Sequence, residues 1–579
     1  MGKWKAKGYN TIYEAVQGNT GRADEFLNDK DSSLYHIQNL DVLANWIYGY
    51  IQAGMKFYIV GDYDCDGVMA TAGLKILLQS FGAANVVTRL PRRMSEGYGM
   101  SEKIVDEFPE PGVIITVDNG IKAFQAVKKA KERGFIVLVT DHHQPDIREN
   151  NLYLPAADLI VDPHVPNDAI ALGSVLENSF NGYCGAGLVY KLAQMMLGDC
   201  EILDIIASMA AIATVADVVP LIEDNRNIYK HGIMAIKERH VTVGLQRIID
   251  ELNSDNVVNE SDIGFKIGPM INAPGRIYDD GAERALNAVL SSDTDEAEGH
   301  VYMLDTANET RKQLKAEAVN RAISIMEDEC LYGMNPIVIV DKETPEGIIG
   351  LVAGELCERY NASAIVFTGC GKNGLLKGSC RGASYNNIIE SLNAVNDANP
   401  DWILGYGGHK GAAGLTIRED IVSKFTDAIQ DVMGEAVQAS DEVEYDIEIP
   451  AGELPSAVEE TRRFAPFGEG NPQLIFRIDG LRLVPNGNSF YKLMGNNDSI
   501  RFYGAGCEAV GFGLAKKYEE LRMPKNMDMV GILSYHSYGG KTIPQIELKD
   551  FNAVETKPVE TKLGNSIMEA IKLNGLFSA

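Results

Sequence analysis

No run of about 18 apolar residues occurs in the 579-residue chain, so a membrane-spanning helix is not expected. The basic start, MGKWKAKGYNTIYEAV, has no apolar stretch behind it, which argues against a signal peptide and for a cytoplasmic protein. Paired cysteines are missing as well. The eight present, Cys65, Cys184, Cys200, Cys330, Cys357, Cys370, Cys380 and Cys507, form no CxxC, so free buried thiols are expected instead of a disulfide framework or zinc knuckle. Positive charge is scarce: 53 Lys and Arg face 81 Asp and Glu, for a net charge of −28. That balance sits awkwardly with the basic surface usual for a protein that grips nucleic acid, and a polyanionic substrate would need metal ions and a local basic channel. Candidate cations for such a channel are Arg89, Arg92 and Arg93, the cluster Lys128, Lys129, Lys131 and Arg133, and Arg381, with a solvated helix face as the plainer account of the cluster.

What the chain does contain is a set of acids at the ends of apolar runs. Lys56 to Val60 leads into Gly61-Asp-Tyr-Asp-Cys-Asp-Gly67, Val113 to Val117 into Asp118-Asn119-Gly120, and Phe135 to Thr140 into Asp141-His142-His143. Helical patterns at Val68 to Phe81 and Ile121 to Arg133 separate them. Strand and helix in alternation predict a parallel, doubly wound sheet, whose ligands bind outside the carboxyl ends of its strands. Three carboxylates as close as Asp62, Asp64 and Asp66 repel one another unless a cation lies between them.

At about 150 residues per domain the length predicts three or four domains. A helical lead-in (1–54) precedes the sheet domain (55–293), where Ala157 to Val161 is a further strand and Gly185 to Leu197 and Ile202 to Thr214 are helices. The second helix ends before Pro220 and leaves Asp217 at its end. The polar, helix-favouring stretch Thr294 to Glu329 predicts a long connecting helix (294–330). A smaller α/β domain (331–438) follows, with strand Pro336 to Val340, helix Gly350 to Tyr360, strand Ala364 to Phe367 and two glycine-marked segments, GSCRG (378–382) and GYGGHKGAAG (405–414). Residues 439–555 break into short β-rich runs that suggest an OB-type barrel, and a tail (556–579) carries one amphipathic stretch.

If the loop after Val60 stays extended, Asp64 and Asp66 share a side and can meet the same pair of metal ions. Hard cations about 3.5–4 Å apart suit phosphoryl transfer to water. The available donors, Asp62, Asp64, Asp66, Asp118, His142 and Asp217 with Asp141 and His143 close by, are carboxylate and imidazole without thiolate, which favours manganese or magnesium over structural zinc. Taken singly, each acid has a plainer reading as a helix N-cap, since Asp at a strand-to-helix turn commonly caps the following helix. Taken together they are not, because capping needs one acid per turn and no paired histidines.

GDYDCDG, DNG (118–120), DHH (141–143) and ADVVPL (216–221) resemble the successive motifs of the DHH phosphoesterase superfamily, and GGHKGAAG (407–414) resembles the glycine-rich motif of the associated DHHA1 domain. PRRMSEGYG (91–99), INAPGR (271–276), GSCRG and PFGEGNP (466–472) resemble the RecJ family of single-strand-specific 5′-to-3′ exonucleases, in order from about residue 36 to 553. The resemblance implies two Mn2+ ions, with Mg2+ as the alternative, held by Asp64, Asp66, Asp118, His142 and Asp217, with Asp118 bridging and Asp62 a near neighbour. His143 would orient the site or touch phosphate, and water would be the nucleophile. Ser379, Arg381, Gly408 and His409 would form a pocket for a 5′-terminal phosphate, and Arg93 and Arg276 would line the groove, with Asn272 holding its loop or serving structure alone. Stacking of single-stranded DNA would fall to aromatics such as Tyr98, Phe464, Phe467, Phe490, Tyr491 and Tyr503, although barrel aromatics are more often core. A single-strand-binding protein or helicase is the implied partner, and a monomer the implied state. Departures are Cys65 where alanine is usual, Gly382 in place of a frequent serine, and no tryptophan before Gly347.

Two other readings compete with recombination and repair of single-stranded DNA. One is a DHH phosphodiesterase for short oligonucleotides or cyclic dinucleotides, against which the β-rich domain of about 110 residues speaks. The other is a catalytically silent DNA-binding scaffold, which would be expected to have lost ligands that are present here.

Overall fold

The computed structural model describes residues 3–148, 151–170, 172–252, 258–369, 374–437, 442–495, 497–538 and 541–554. The tail from Thr556 and Cys370 lie outside them. The described residues form two compact units, one of 24–439 with 466–472, the other of the remaining segments. Among them no helix is long and apolar enough to cross a membrane.

The chain opens on β1 (Lys3–Ala6) rather than on helix. β1 pairs in parallel with a strand at Glu442–Tyr445, and the described part of 1–23 groups with the smaller unit, while helices Ile12–Thr20, Ala23–Leu27 and Leu40–Gln52 follow along the lead-in. Four residues whose partner lies more than 400 positions away leave no local pattern to read. Trp4 explains the anchorage, since its indole N–H donates to Asp550 Oδ2 at 2.8 Å.

In the larger unit, β2 (Phe57–Val60), β3 (Val86–Arg89), β4 (Val113–Val117) and β5 (Ile136–Thr140) are followed by a small hairpin, β6 (Asp146–Arg148) and β7 (Asn151–Tyr153), and then by β8 (Leu159–Val161). The main sheet runs β3-β2-β4-β5-β8, parallel throughout. Every residue of β2 and β4 is buried, because separate apolar clusters cover the two faces. The order reverses beside β2, so the crevice at its carboxyl end is the place for a ligand. Helices Gly185–Leu197, Glu201–Ala216 and Thr294–Asp328 stand where the periodicity predicts them. The last is started by Asp293, whose side chain accepts from the Glu296 N–H.

A second sheet of the same unit, β9 (Ile337–Val340), β10 (Ala364–Gly369), β11 (Leu375–Arg381), β12 (Ile403–His409) and β13 (Ala412–Arg418), has the order β12-β13-β11-β10-β9, with only β9 and β10 parallel. GGHKGAAG is therefore the β12–β13 hairpin at the sheet edge. INAPGR lies in the helix Gly268–Ile277 and not in a loop, and Asn272 with it.

The smaller unit contains β14 (Glu442–Tyr445), β15 (Ile447–Pro450), β16 (Ile475–Arg482), β17 (Tyr491–Met494), β18 (Ser499–Gly504), β19 (Cys507–Gly511), β20 (Asn526–Tyr538) and β21 (Lys541–Ala553). Pairing runs β16-β20-β21-β19-β18. It closes on itself because the chain continues past β16 to bridge Leu483 to Gly504, with the Val484 N–H on Tyr503 O at 2.8 Å. Five strands in that cycle, with β19 and β21 parallel, make the expected OB-type barrel.

Candidate metal centre and its arginine border

Asp64 does not stay in an extended loop. It caps the helix Cys65–Ser80, its carboxylate accepting from the Gly67 N–H at 3.1 Å, and Asp66 sits in the first turn. The two acids reach one site because the helix begins there, not because of strand alternation. Asp66 is buried and accepts from the Gly185 and Ala186 N–H groups at 2.6 and 2.7 Å, at the start of another helix whose dipole favours its charge. Asp62 is buried and accepts from the Gly99 N–H at 3.1 Å.

Asp118 follows β4 with φ of 60°, in the left-handed region, and its carbonyl accepts from Tyr98 Oη at 2.8 Å. Asn119 fastens the adjoining strand ends, donating to Val60 O and Val117 O at 3.0 and 2.9 Å. After β5, Asp141 accepts from the Ile121, His142 and His143 N–H groups and lies 2.8 Å from His143 Nδ1. It is thus a clamp for the two histidines. His142 Nε2 lies 2.9 Å from Asp118 Oδ1, 3.6 Å from Asp66 Oδ2 and 3.7 Å from Asp217 Oδ2. Asp217 is at the end of helix Glu201–Ala216, as the proline predicts.

Three overlapping groups have ligand atoms within 4.8 Å of one another: Asp62, Asp64 and Asp118; Asp118, His142 and His143; Asp66, His142 and Asp217. Burial, reinforced by the neighbouring acids, pushes the Asp62 and Asp118 carboxyls well above their usual range and Asp217 up to about 8. Burial also lowers His142. For His143 burial opposes the charged ring, but the bond to Asp141 prevails and raises it to about 9. Oxygen-rich, mutually repelling and with one neutral imidazole at the centre, the donor set fits hard divalent cations. The neighbouring Asp162, which ends β8, is raised to about 8 by burial and joins none of the three groups.

Beside the acids stands a group of arginines. Arg93 stacks on Tyr63 at 4.5 Å, Arg276 donates to Gly347 O at 3.1 Å, and Arg381 donates to Cys380 O at 2.8 Å with Ser379 Oγ 3.4 Å away. Burial and the like charges of Arg93, Arg311 and Arg381 push Arg276 down to about 9. Among the described residues none of these four has an ion pair within 4.0 Å. Gly350 keeps the Arg381 pocket open, since a Cβ there would lie 3.0 Å from Ser379 Oγ and 3.2 Å from an Arg381 guanidinium nitrogen. His409 is lowered by burial and by the charges of Arg381 and His143, so the hairpin bearing Gly408 and His409 faces the same electrostatic field. A cavity of about 120 Å³, lined by Asn272, Arg276, Arg311 and Leu351 among others, adjoins Ala216.

Other expected cations make bonds within the chain. Arg89 is buried between Glu96 and Glu107, Lys129 pairs with Asp106 at 2.6 Å, Lys131 with Asp158 at 2.6 Å, Lys128 lies 3.9 Å from Glu132, and Arg133 donates to Val105 O and Phe108 O. Of the aromatics, Phe464 is core, Tyr491 packs on Tyr518, and Tyr98 supports Asp118. Sequence reasoning did not find Arg311, an unremarkable position on a polar helix, or the roles of Asp141 and the Gly185–Ala186 amides. The CGAG turn at 184–187 was the one available signal for those amides.

Acids and imidazoles at the carboxyl ends of a parallel sheet, bordered by arginines, define a divalent-metal phosphoesterase of the DHH type. The DHH family, N-terminal domain, matches residues 56–216, the DHHA1 domain 333–435 and the RecJ OB domain 445–550. The chain belongs to the RecJ family of single-stranded-DNA-specific exonucleases. It is 32% identical to the RecJ exonuclease of Haemophilus influenzae over 70% of this chain and 71% of that one. It is 30% identical to the Bacillus subtilis RecJ exonuclease over 91% of this chain, and there it spans 65% of the relative's length. The crystal structure of Thermus thermophilus RecJ in complex with Mn2+ superposes with a TM-score of 0.75 at 25% identity, covering 96% of this chain and 80% of that one.

Proposed function

We propose that this chain removes nucleotides from the 5′ end of single-stranded DNA by divalent-metal-dependent hydrolysis, in recombination and repair. The observation that carries the reading is the adjacency of seven buried or half-buried metal-donor side chains to arginines that make no ion pair within 4.0 Å among the described residues, in a molecule whose net charge is −28. In this reading Asp64, Asp66, Asp118, His142 and Asp217 would hold a pair of Mn2+ or Mg2+ ions, with Asp62 adjoining. When bound, the ions neutralise the phosphate and supply Lewis-acid activation of water. Asp141, bonded to His143 Nδ1, holds that ring beside Asp118 and His142, where it orients the site or touches a phosphate oxygen. Arg381 and Ser379, with Gly408 and His409, take the terminal 5′-phosphate, while Arg93, Arg276 and Arg311 hold the phosphates that follow. All donors come from one chain, so a monomer suffices. Free cysteines such as Cys65 and Cys184 fit a reducing, cytoplasmic setting, and a helicase would expose the 5′ strand that a single-strand-binding protein keeps unpaired.

The test uses 5′- and 3′-labelled single- and double-stranded DNA and RNA, incubated with Mn2+, Mg2+ or chelator, with products sized over time. Mononucleotide release from the 5′ label of single strands, abolished by chelator, is the expected outcome. Release from the 3′ label, or cleavage of dinucleotides alone, would overturn it in favour of the opposite polarity or of an oligonucleotide phosphodiesterase.

A further inference from the structure

PFGEGNP (466–472) belongs to the compact unit that holds the metal donors, although the chain on either side of it belongs to the other. Its function is unassigned by the chemistry above, since it carries no donor and no arginine. It closes on itself as a tight loop. The Gly468 N–H donates to Asn471 O at 2.9 Å, the Asn471 N–H to Gly468 O at 3.1 Å, and Asn471 Nδ2 to Pro466 O at 2.7 Å.

The loop is seated on the residues that follow Asp217. Glu469 O accepts from the Leu221 N–H at 2.8 Å. A Cβ at Gly468 would lie 2.7 Å from Leu221 Cδ1, and one at Gly470, where φ is +75°, 3.0 Å from Ile222 Cγ2 and 3.5 Å from Pro220 Cβ. Both glycines therefore permit contact closer than any side chain allows. Its outer end is fixed from beneath. Arg226, buried and bonded to Asp29 and Phe26 O, also donates to Pro466 O at 3.2 Å, and Glu260 Oε1 accepts from the Phe467 N–H at 2.9 Å.

The clamped segment needs such support. Val218 has φ of 57° and Glu223 φ of 49°, both outside the comfortable range of side-chain-bearing residues. Val218 is also 67% exposed, so apolar packing does not hold it. Asp217 precedes this strained run directly, and its carboxylate must stay near His142 Nε2, 3.7 Å away, for the group of Asp66, His142 and Asp217 to form.

We propose that residues 466–472 are a positioning strap for Asp217, which fixes the 218–222 turn so that this carboxylate is presented to the metal centre. The proposal rests on the metal-site reading above. Neither Gly468 nor Glu260 touches substrate or metal; both act through Leu221 and the strap.

The experiment measures Mn2+ binding to the full-length chain by the EPR signal of free Mn2+, with binding of single-stranded DNA in chelator as a control. Gly468→Val pushes on Leu221 and is expected to weaken Mn2+ binding about tenfold, the scale of a lost supporting contact at a metal site, with DNA binding in chelator unchanged. Combining it with Leu221→Ala makes room for the added carbons and should restore the affinity. Glu260→Ala frees the strap without adding bulk and should show the same loss, which Tyr229→Phe, removing only the hydroxyl that also bonds Glu260, should not, while Glu260→Gln, which keeps an acceptor oxygen, should bind as wild type. If Gly468→Val fails to fold, the Glu260 pair decides alone. Wild-type affinity in Glu260→Ala, or equal loss in Glu260→Ala and Glu260→Gln, overturns the strap. A wild-type chain that binds no Mn2+ overturns the metal site itself, a distinct result.

Discussion

Asp118 occupies left-handed backbone space, which costs most residues about 1–2 kcal/mol but is tolerated by Asp and Asn. Asp118→Asn therefore keeps the turn and removes only the charge, so its effect reads on chemistry. Loss of a supporting group at a metal site already costs about 10- to 100-fold, and a donor shared by two of the three ligand groups should cost more. Cleavage of 5′-labelled single strands is expected to fall more than about a hundredfold, while binding in chelator, followed by fluorescence anisotropy, stays near wild type. Turnover equal to wild type would remove Asp118 from the centre. Arg381 allows a sharper question, because a planar fork over a terminal phosphate distinguishes substrates by their ends. Arg381→Ala should slow 5′-phosphorylated strands about tenfold or more and 5′-hydroxyl strands less, from the loss of one charge-assisted hydrogen bond. An equal loss on both, in kcat/KM, would take the pocket away from Arg381.

The elements that carry these residues act as levers on them. The connecting helix Thr294–Asp328 brings Arg311 against the cavity that Arg276 and Asn272 line, so one exposed-looking helical position comes to share that cavity. Arg311→Ala is expected to lower affinity for single-stranded DNA whatever its sequence. It should also flatten the dependence of log K on log salt by about 0.7, the share of one phosphate on a single strand. An unchanged slope would leave Arg311 a structural partner of Asn308, to which it donates at 2.9 Å. Much of this was legible beforehand. Buried parallel strands read as continuous apolar runs, and their terminal acids stood out because nothing else accounts for three carboxylates in five residues. What stayed hidden depends on distant partners: the helix start that turns Asp64 and Asp66 together, the β1 pairing across the length of the chain, and the strand extension that closes the barrel. GGHKGAAG shows the same limit, since glycines advertise close approach but not whether they belong to a loop or, as here, a hairpin.

For the molecule as a whole, the acid cluster sets stability against function. In the folded chain without metal Asp217 titrates at about 8, chiefly because it is buried and next because of Asp66, whereas its ordinary value is 3.8. Between those values the folded state holds a proton that the unfolded state has lost, so unfolding releases it and stability falls as pH rises. The stabilising contribution is complete below about 4 and gone once pH has passed about 8. A bound cation reverses the sign, because it prefers the ionised carboxylate and its affinity therefore rises with pH. Asp217→Asn separates this effect from every other titrating group. In chelator the variant should melt above wild type at pH 8.5, with the gap closing as pH falls toward 5.5; in saturating Mn2+ wild type should melt higher at pH 8.5. Scanning calorimetry across that range checks both halves. If wild type and variant show the same pH dependence in chelator, Asp217 titrates as an ordinary exposed acid, and the crowding of buried charge that argues for metal at this end of the sheet is absent.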